Sequence, residues 1–245
     1  MRINFIVAKT KSERDAINLF LTRHNSRGPG SKTGYVAYFA ATQDGKMIAA
    51  AKFCPLHTPQ AARFFAGQDW RNVYTLQRLA ARYPPKNLLS KFLSWCLKQM
   101  GRDPRVHYIA TYADPSTCNS DTGQPHTGAI YRATNAVYCG LTESGRVEGY
   151  ILNGQRHSMR KGPKTLTMTD IPLSARILRG QVKHRYCWAV GSPLVKRLRL
   201  RALRQRMARF SYEPVYQPRL LVKAIKRTLD NLKKAWKYAG KFIPG

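Results

Sequence analysis

Hydrophobic and polar positions change period several times along this chain, and the changes mark out its elements. Arg2 to Ala8 is a short apolar run quickly broken by charge and predicts a first strand, not a signal peptide. Lys11 to His24 carries Ile17, Phe20 and Leu21 on one face of a predicted helix, with Thr10 as N-cap and Glu13 at the third helical position. The Gly/Pro/Ser stretch RHNSRGPGSKTG ends it. Tyr35 to Thr42 and Lys46 to Phe53 then flank Gln43-Asp44-Gly45, a hairpin signal. Cys54 to Arg71, with TPQAARFF at its centre, reads as irregular chain or a short covering helix. Val73 to Ala80 reads as a strand and stops before Tyr83-Pro84-Pro85. Lys86 to Met100 is the clearest helix, with Leu89, Phe92, Leu93, Cys96, Leu97 and Met100 on one stripe.

The stretch Val106 to Gly140 carries the most chemistry. Val106 to Tyr112 is rich in β-branched and aromatic residues and predicts a strand, which Asp114-Pro115 ends. From His126 the pattern turns helical, through Ile130, Ala133, Ala136 and Val137. A carboxylate thus stands at the C-terminal end of a strand and an imidazole near the start of the next helix, at the edge where open α/β sheets bind ligands. Capping of a turn is the other use of Asp114. Val147 to Asn153 and Gln155 to Arg160 face each other across Asn153-Gly154, a second hairpin. His157 follows that turn and is structural or functional. Beyond Ser158 only His184 to Val190 reads as a strand, and His184 there reads as exposed or in contact with phosphate. The order mixes hairpins with crossovers, so the expected fold is α/β, a mixed sheet with helices on both faces. The expected division is 1–160 as core, 161–191 as an added region packed on it, and 192–245 as a basic helical extension.

Charge changes the picture more than composition does. Lys plus Arg number 43 against 12 Asp plus Glu, a formal net charge of +31. That points to a polyanionic partner, nucleic acid first and an anionic membrane surface second. The last 54 residues hold 15 Lys or Arg against two acids, Glu213 and Asp230. Leu221, Ile225, Leu229, Leu232 and Trp236 form one stripe there, with Lys223, Arg227 and Lys234 largely off it. The preceding KRLRLRALRQRMARF, with Arg197, Arg201 and Arg204, is more densely charged. These six cations are the expected DNA-backbone contacts. No run of 18 apolar residues occurs, so no membrane helix is expected. The five cysteines form no CxxC pair, which suits a reducing, cytoplasmic compartment. No serine sits in a nucleophile elbow, and paired catalytic acids are absent.

LQRLAARYPPKNLLSKFL, then TYADP, then HTGAIYRATNAVYCG, within roughly residues 10–160, resembles the Mom-type DNA-modification proteins of phages. These are regarded as divergent members of the GCN5-related acetyltransferase fold. The resemblance is most specific at Tyr112-Ala113-Asp114-Pro115, His126, Gly128, Tyr131, Asn135, Tyr138 and Gly140. It implies a GCN5-related acetyltransferase-like sheet and a transferase that places a carbamoylmethyl-type group on the exocyclic amine of adenine, protecting phage DNA from restriction. It further implies site roles for Arg78, Asn87, Ser90, Tyr112 and Asp114, with His126 beside them. His24 aligns with a family His-Tyr-Ser triplet, although here the text is His24-Asn25-Ser26. The chain also inserts Ser116 to Pro125, including Cys118, where the family runs on directly.

Two cofactor readings follow from these residues. A pyrophosphate of acetyl-CoA would sit at Arg82-Tyr83-Pro84-Pro85-Lys86-Asn87, but this turn has no glycine and two prolines, so Arg82, Lys86, Asn87 and Ser90 would have to hold it. Alternatively, His24 and Asp114 supply ligand types that suit Fe(II), with His126, His57 or a tyrosine completing the set; the resemblance makes iron an expectation. A base inside a duplex must be flipped to react, and Tyr112, Tyr131, Asn135 and Tyr138 are the residues expected to hold it. The rival functions are an acetyl-CoA-dependent N-acetyltransferase on another amine and a non-catalytic nucleic-acid-binding protein. Double-stranded DNA is the expected partner, and the oligomeric state stays open, a homodimer included.

Overall fold

The computed structural model describes residues 2–25, 30, 36–115, 126–142, 147–161, 164–179 and 182–210. β1 (Ile3–Val7) leads into α1 (Lys11–His24). The Thr10 hydroxyl accepts from the Glu13 amide at 3.2 Å and the Glu13 carboxylate accepts from the Thr10 amide at 2.9 Å, closing the expected capping box. β2 (Ala37–Gln43) and β3 (Lys46–Pro55) form the first hairpin, turning at Asp44 and Gly45 with φ of 48° and 77°. α2 (Pro59–Ala66) and a 3₁₀ turn (Gly67–Asn72) precede β4 (Val73–Ala81), α3 (Leu88–Met100), β5 (Tyr108–Ala113), α4 (Ala129–Ala133) and β6 (Val137–Leu141). β7 (Val147–Leu152), β8 (Gln155–Ser158), β9 (Arg160–Lys161), β10 (Lys164–Thr165), β11 (Arg176–Arg179), β12 (His184–Ala189) and α5 (Pro193–Met207) follow.

Seven strands form one mixed sheet in the order β1-β2-β3-β4-β5-β12-β6, in which only β4 and β5 run parallel. The expected mixed sheet flanked by helices is therefore present. β12 pairs along the whole of β5, from His184 opposite Ala113 to Ala189 opposite Tyr108. The sheet thus crosses residue 160, and a strand from beyond it fills the slot between β5 and β6. β11, β7 and β8 form a separate small sheet, where the His157 ring stacks on Tyr150 at 5.0 Å.

Period-2 alternation sends neighbouring strand residues to opposite faces. α3 and α4 cover one face, burying Phe92, Leu93, Cys96 and Tyr131 against Phe39, Phe53, Ile109 and Trp188. On the other face α1 packs Ile17, Phe20 and Leu21 over Tyr38, Ala40, Ala50 and Ala80. Beside it, α2 and α5 pack Phe65, Leu203 and Met207 over Val73, Ala110, Cys139 and Cys187. Among the described residues the four cysteines are buried free thiols.

Two helix bounds change, and one expectation falls on residues that are not described. α3 starts at Leu88 and not Lys86, because two prolines precede it and Asn87 takes φ 63° at its N-cap. α4 is a helix of five residues, not one reaching Val137: Asn135 adopts φ 62°, the chain turns, and Val137 opens β6. The basic stripe Leu221 to Trp236, with Lys223, Arg227 and Lys234, lies outside the described residues.

Candidate functional site

β4 and β5 pair only from Val73 opposite Tyr108 to Thr75 opposite Ala110. Beyond that they part, and their C-terminal halves open a notch in the sheet. A β-bulge in β4 sits at its mouth. The β3–β4 register steps from Lys52 opposite Arg78 to Phe53 opposite Leu76, leaving Gln77 as the extra residue. The bulge re-aims the strand, so Leu76 joins the α3 core whereas Arg78 shares the α1 face with Lys52. Thr111 spans the notch, its hydroxyl donating to the Leu76 carbonyl at 3.4 Å.

The α1 face of the notch is cationic. Lys52 is fully buried, with its ammonium 3.4 Å from Asn18 Oδ1, 3.5 Å from the Gly30 carbonyl and 5.2 Å from the centre of the Tyr38 ring. Lys52 and Arg78 both act on the Cys54 thiol, whose pKa burial nevertheless pushes up. Sequence reasoning missed Lys52. Its signal was there: one lysine inside the otherwise apolar strand Met47 to Cys54.

Tyr112 lies on this same side, opposite Arg185 in register and 6.3 Å from the Phe65 ring. Burial pushes its hydroxyl pKa up to about 12, with the Arg185 charge pulling the other way. Tyr112 is therefore a neutral hydrogen-bonding group near neutral pH. Asp114, one residue past β5, is buried and its carboxylate lies 4.0 Å from the Lys183 ammonium.

The other face of the same strands holds a hydrogen-bonded aromatic cluster. His126 Nε2 and the Tyr131 hydroxyl are 3.2 Å apart, and so are the Tyr138 hydroxyl and His184 Nδ1. The Tyr186 hydroxyl donates to the Thr127 carbonyl at 2.7 Å, with its ring 5.5 Å from both Tyr131 and Tyr138. Gly128, at φ 81°, lies so close to that ring that a Cβ there would stand 2.4 Å from it. His184 is fully buried, not exposed to phosphate as its basic surroundings suggested; burial first, then Arg132 and His126, lower its pKa.

The family-matched residues are thus divided between two faces. Arg78 and Tyr112 share the α1–α2–α5 side. His126, Tyr131 and Tyr138 share the α3–α4 side, where Tyr131 is buried against Trp188 and belongs to the core. Asn135 shapes the turn after α4. Asn87 and Ser90 sit at the head of α3, where the Ser90 hydroxyl donates to the Asn87 carbonyl at 3.0 Å.

Neither cofactor reading gains a formed site. In the turn before α3, Pro84 and Pro85 lack amide hydrogens and the Leu88 amide donates to the Pro85 carbonyl at 3.0 Å. Two amides are thus missing from the turn and a third is engaged, and Arg82, at 5.6 Å over the Tyr83 ring, and Lys86 supply point charges. For iron, His24 packs on Phe20 at 4.5 Å at the end of α1, and Asp114 faces an ammonium. Among the described residues no three His, Cys, Asp or Glu side chains gather into a metal site. Nor is any helix among them long and apolar enough to cross a membrane.

The chain is an α/β protein built on a mixed sheet with a cationic notch between two parallel strands. Its sequence matches the model of the Mom protein family over residues 4–209, and the chain belongs to that family. No curated protein matches it significantly. Similar solved structures include the ribosomal-protein-S18-alanine N-acetyltransferase from Escherichia coli, at 13% identity and a TM-score of 0.44, covering 77% of this chain and 95% of that one. Another is a GNAT superfamily phosphinothricin acetyltransferase from Sinorhizobium meliloti in complex with AcCoA, at 12% identity and a TM-score of 0.45, covering 78% and 90%.

Proposed function

We propose that this chain modifies DNA by transferring a carbamoylmethyl-type group to the exocyclic amine of adenine, shielding phage DNA from host restriction. The observation that carries the reading is the Mom family match over residues 4–209, which spans Arg78, Tyr112 and Asp114. The formal charge of +31 supports a nucleic-acid acceptor.

The chemistry sets requirements that the notch residues suit. The adenine amine attacks an electrophilic carbon of the donor, a nitrogen–carbon bond forms, and the donor's leaving group departs with its electron pair. The amine gives up one proton, and the Asp114 carboxylate is the group assigned to receive it. Arg78 and Lys52 place positive charge on one side of the notch, which favours negative charge developing on a departing group. Tyr112, neutral at working pH, orients by hydrogen bonding. The reacting base has to leave the duplex stack, since its amine is otherwise engaged in pairing.

The test is nucleoside mass spectrometry on DNA from cells expressing the wild-type chain or Asp114→Asn. A new adenine-derived nucleoside in the wild type, lost in a folded Asp114→Asn variant, is the expected result. Unmodified DNA from cells holding folded, DNA-bound wild-type protein would overturn it and turn attention to a different acceptor amine or a binding role.

A further inference from the structure

Between Pro193 and Phe210 the chain has seven Lys or Arg and no acid. Helical phase sorts them by use. Arg199 and Arg206, seven residues apart, anchor the helix: half-buried Arg199 donates to the Val190 carbonyl at 2.8 Å, and Arg206, itself still exposed, donates to the Phe65 carbonyl at 2.6 Å. Together with buried Leu203 and Met207 they fix α5 to the sheet and to α2. Arg197, Arg201 and Arg204 recur at spacings of four and three and are exposed, so they form one stripe on another side of the helix. Three like charges in a row repel one another, and α5 contains no acid to offset that cost. A polyanion offsets it.

A second, independent feature adjoins this helix. At the corner where α2 meets the 3₁₀ turn, the Trp70 ring is flanked by the guanidinium of Arg63 at 5.4 Å and that of Arg71 at 4.9 Å. Gly67 joins the corner to α5: a Cβ there would lie 3.4 Å from the Arg206 guanidinium. Guanidinium planes held against aromatic rings are preorganised for phosphates and for base faces, and they lose less freedom on binding than lysines do.

We propose that α5 is a duplex-DNA surface, in which Arg197, Arg201 and Arg204 follow the phosphates of a strand, and that the corner beside its last turn, Trp70 with Arg63 and Arg71, meets the same duplex. Seven residues of helix rise about 10 Å, and three consecutive phosphates of one strand rise about 7 Å, a difference that side chains as long as arginine span. The inference rests on DNA being the acceptor, as the proposed function has it, yet it is read by binding alone. The rigid attachment of α5 through Arg199 and Arg206 makes the stripe a fixed ruler.

The experiment uses the full chain and a short fluorescent DNA duplex, with anisotropy titrations over a range of salt concentrations. The variants are Arg197→Gln/Arg201→Gln/Arg204→Gln, Trp70→Leu, and a charge-matched control on the opposite side of the sheet, Lys91→Gln/Lys98→Gln/Arg102→Gln. The stripe variant is expected to bind at least about tenfold more weakly, with a log–log salt slope shallower by about 3. Trp70→Leu is expected to weaken binding with the slope unchanged, and the control to stay near wild type. Stripe and control variants that bind alike would overturn the proposal, as would tighter binding of single-stranded than of duplex DNA. If cellular DNA carries no modified adenine while the stripe variant still loses the duplex, the surface stands and the adenine chemistry falls. If the DNA is modified and the stripe variant binds like wild type, the adenine chemistry stands and the surface falls.

Discussion

The Tyr138 hydroxyl and His184 Nδ1 meet at 3.2 Å inside the sheet, one on β6 and the other on the strand beside it. This contact ties a residue of the family-matched segment to β12, a strand that arrives 46 residues later. It also makes stability depend on pH. His184 is buried and its pKa is lowered from the ordinary 6.5 by burial, Arg132 and His126. The unfolded chain therefore binds the proton first as pH falls.

Stability contributed by neutral His184 is fully present above about pH 6.5 and is lost as pH falls from there through the lowered folded-state value. His107, lowered by burial and Arg199, acts in the same direction. The melting temperature should fall between about pH 7 and 5, and less steeply in His184→Gln than in the wild type. A slope identical in both would remove His184 from the acid response.

Gly128→Ala should be among the most damaging single-methyl changes in this chain. The new Cβ would meet the Tyr186 ring at 2.4 Å, and the ring is itself tethered through its hydroxyl to the Thr127 carbonyl. Adding the strain of φ 81° gives an expected loss of about 2–4 kcal/mol. Gly45→Ala, also at positive φ but with open space around it, should lose about 1–2 kcal/mol by comparison. Denaturant titration of both variants separates the steric part from the backbone part.

Much of this was legible beforehand because it is local. The capping box of α1, the Asp44-Gly45 hairpin and the α3 stripe are short-range patterns, and each formed. The notch was half legible: the strand ending at Asp114 could be read, but the bulge at Gln77 and the parting of β4 from β5 are pairing events between distant segments. The place of β12 was hidden for the same reason, since nothing in HRYCWAV states its neighbours. The face taken by each candidate followed from register, not from proximity in sequence. Tyr112 and Asp114 stand in one sequence stretch with Tyr131 and Tyr138, yet Tyr112 shares a side with Arg78 while the other two tyrosines belong to the opposite layer.

Tyr112 should act without titrating. Its hydroxyl pKa, pushed up to about 12 by burial, keeps it protonated throughout the neutral range. Tyr112→Phe is expected to lower the modification rate by a constant factor between about pH 6 and 9. A limb of the pH–rate profile that disappears in Tyr112→Phe would show instead that Tyr112 gains or loses a proton during the reaction.

The division of labour in α5 predicts opposite outcomes for two arginines only two residues apart. Arg206 donates to the buried carbonyl of Phe65 at 2.6 Å, and its loss also leaves that acceptor short of a partner. Arg206→Met, which keeps most of the side-chain length, should cost about 1.5–3 kcal/mol in denaturant unfolding. Arg204 is exposed on the outward stripe, so Arg204→Met should change stability by no more than about 0.5 kcal/mol. Duplex affinity should respond in the other order, with Arg204→Met weakening it at temperatures where both variants are fully folded. Equal stability losses would mean that α5 is not anchored on the side that faces α2, and the outward assignment of Arg197, Arg201 and Arg204 would go with it.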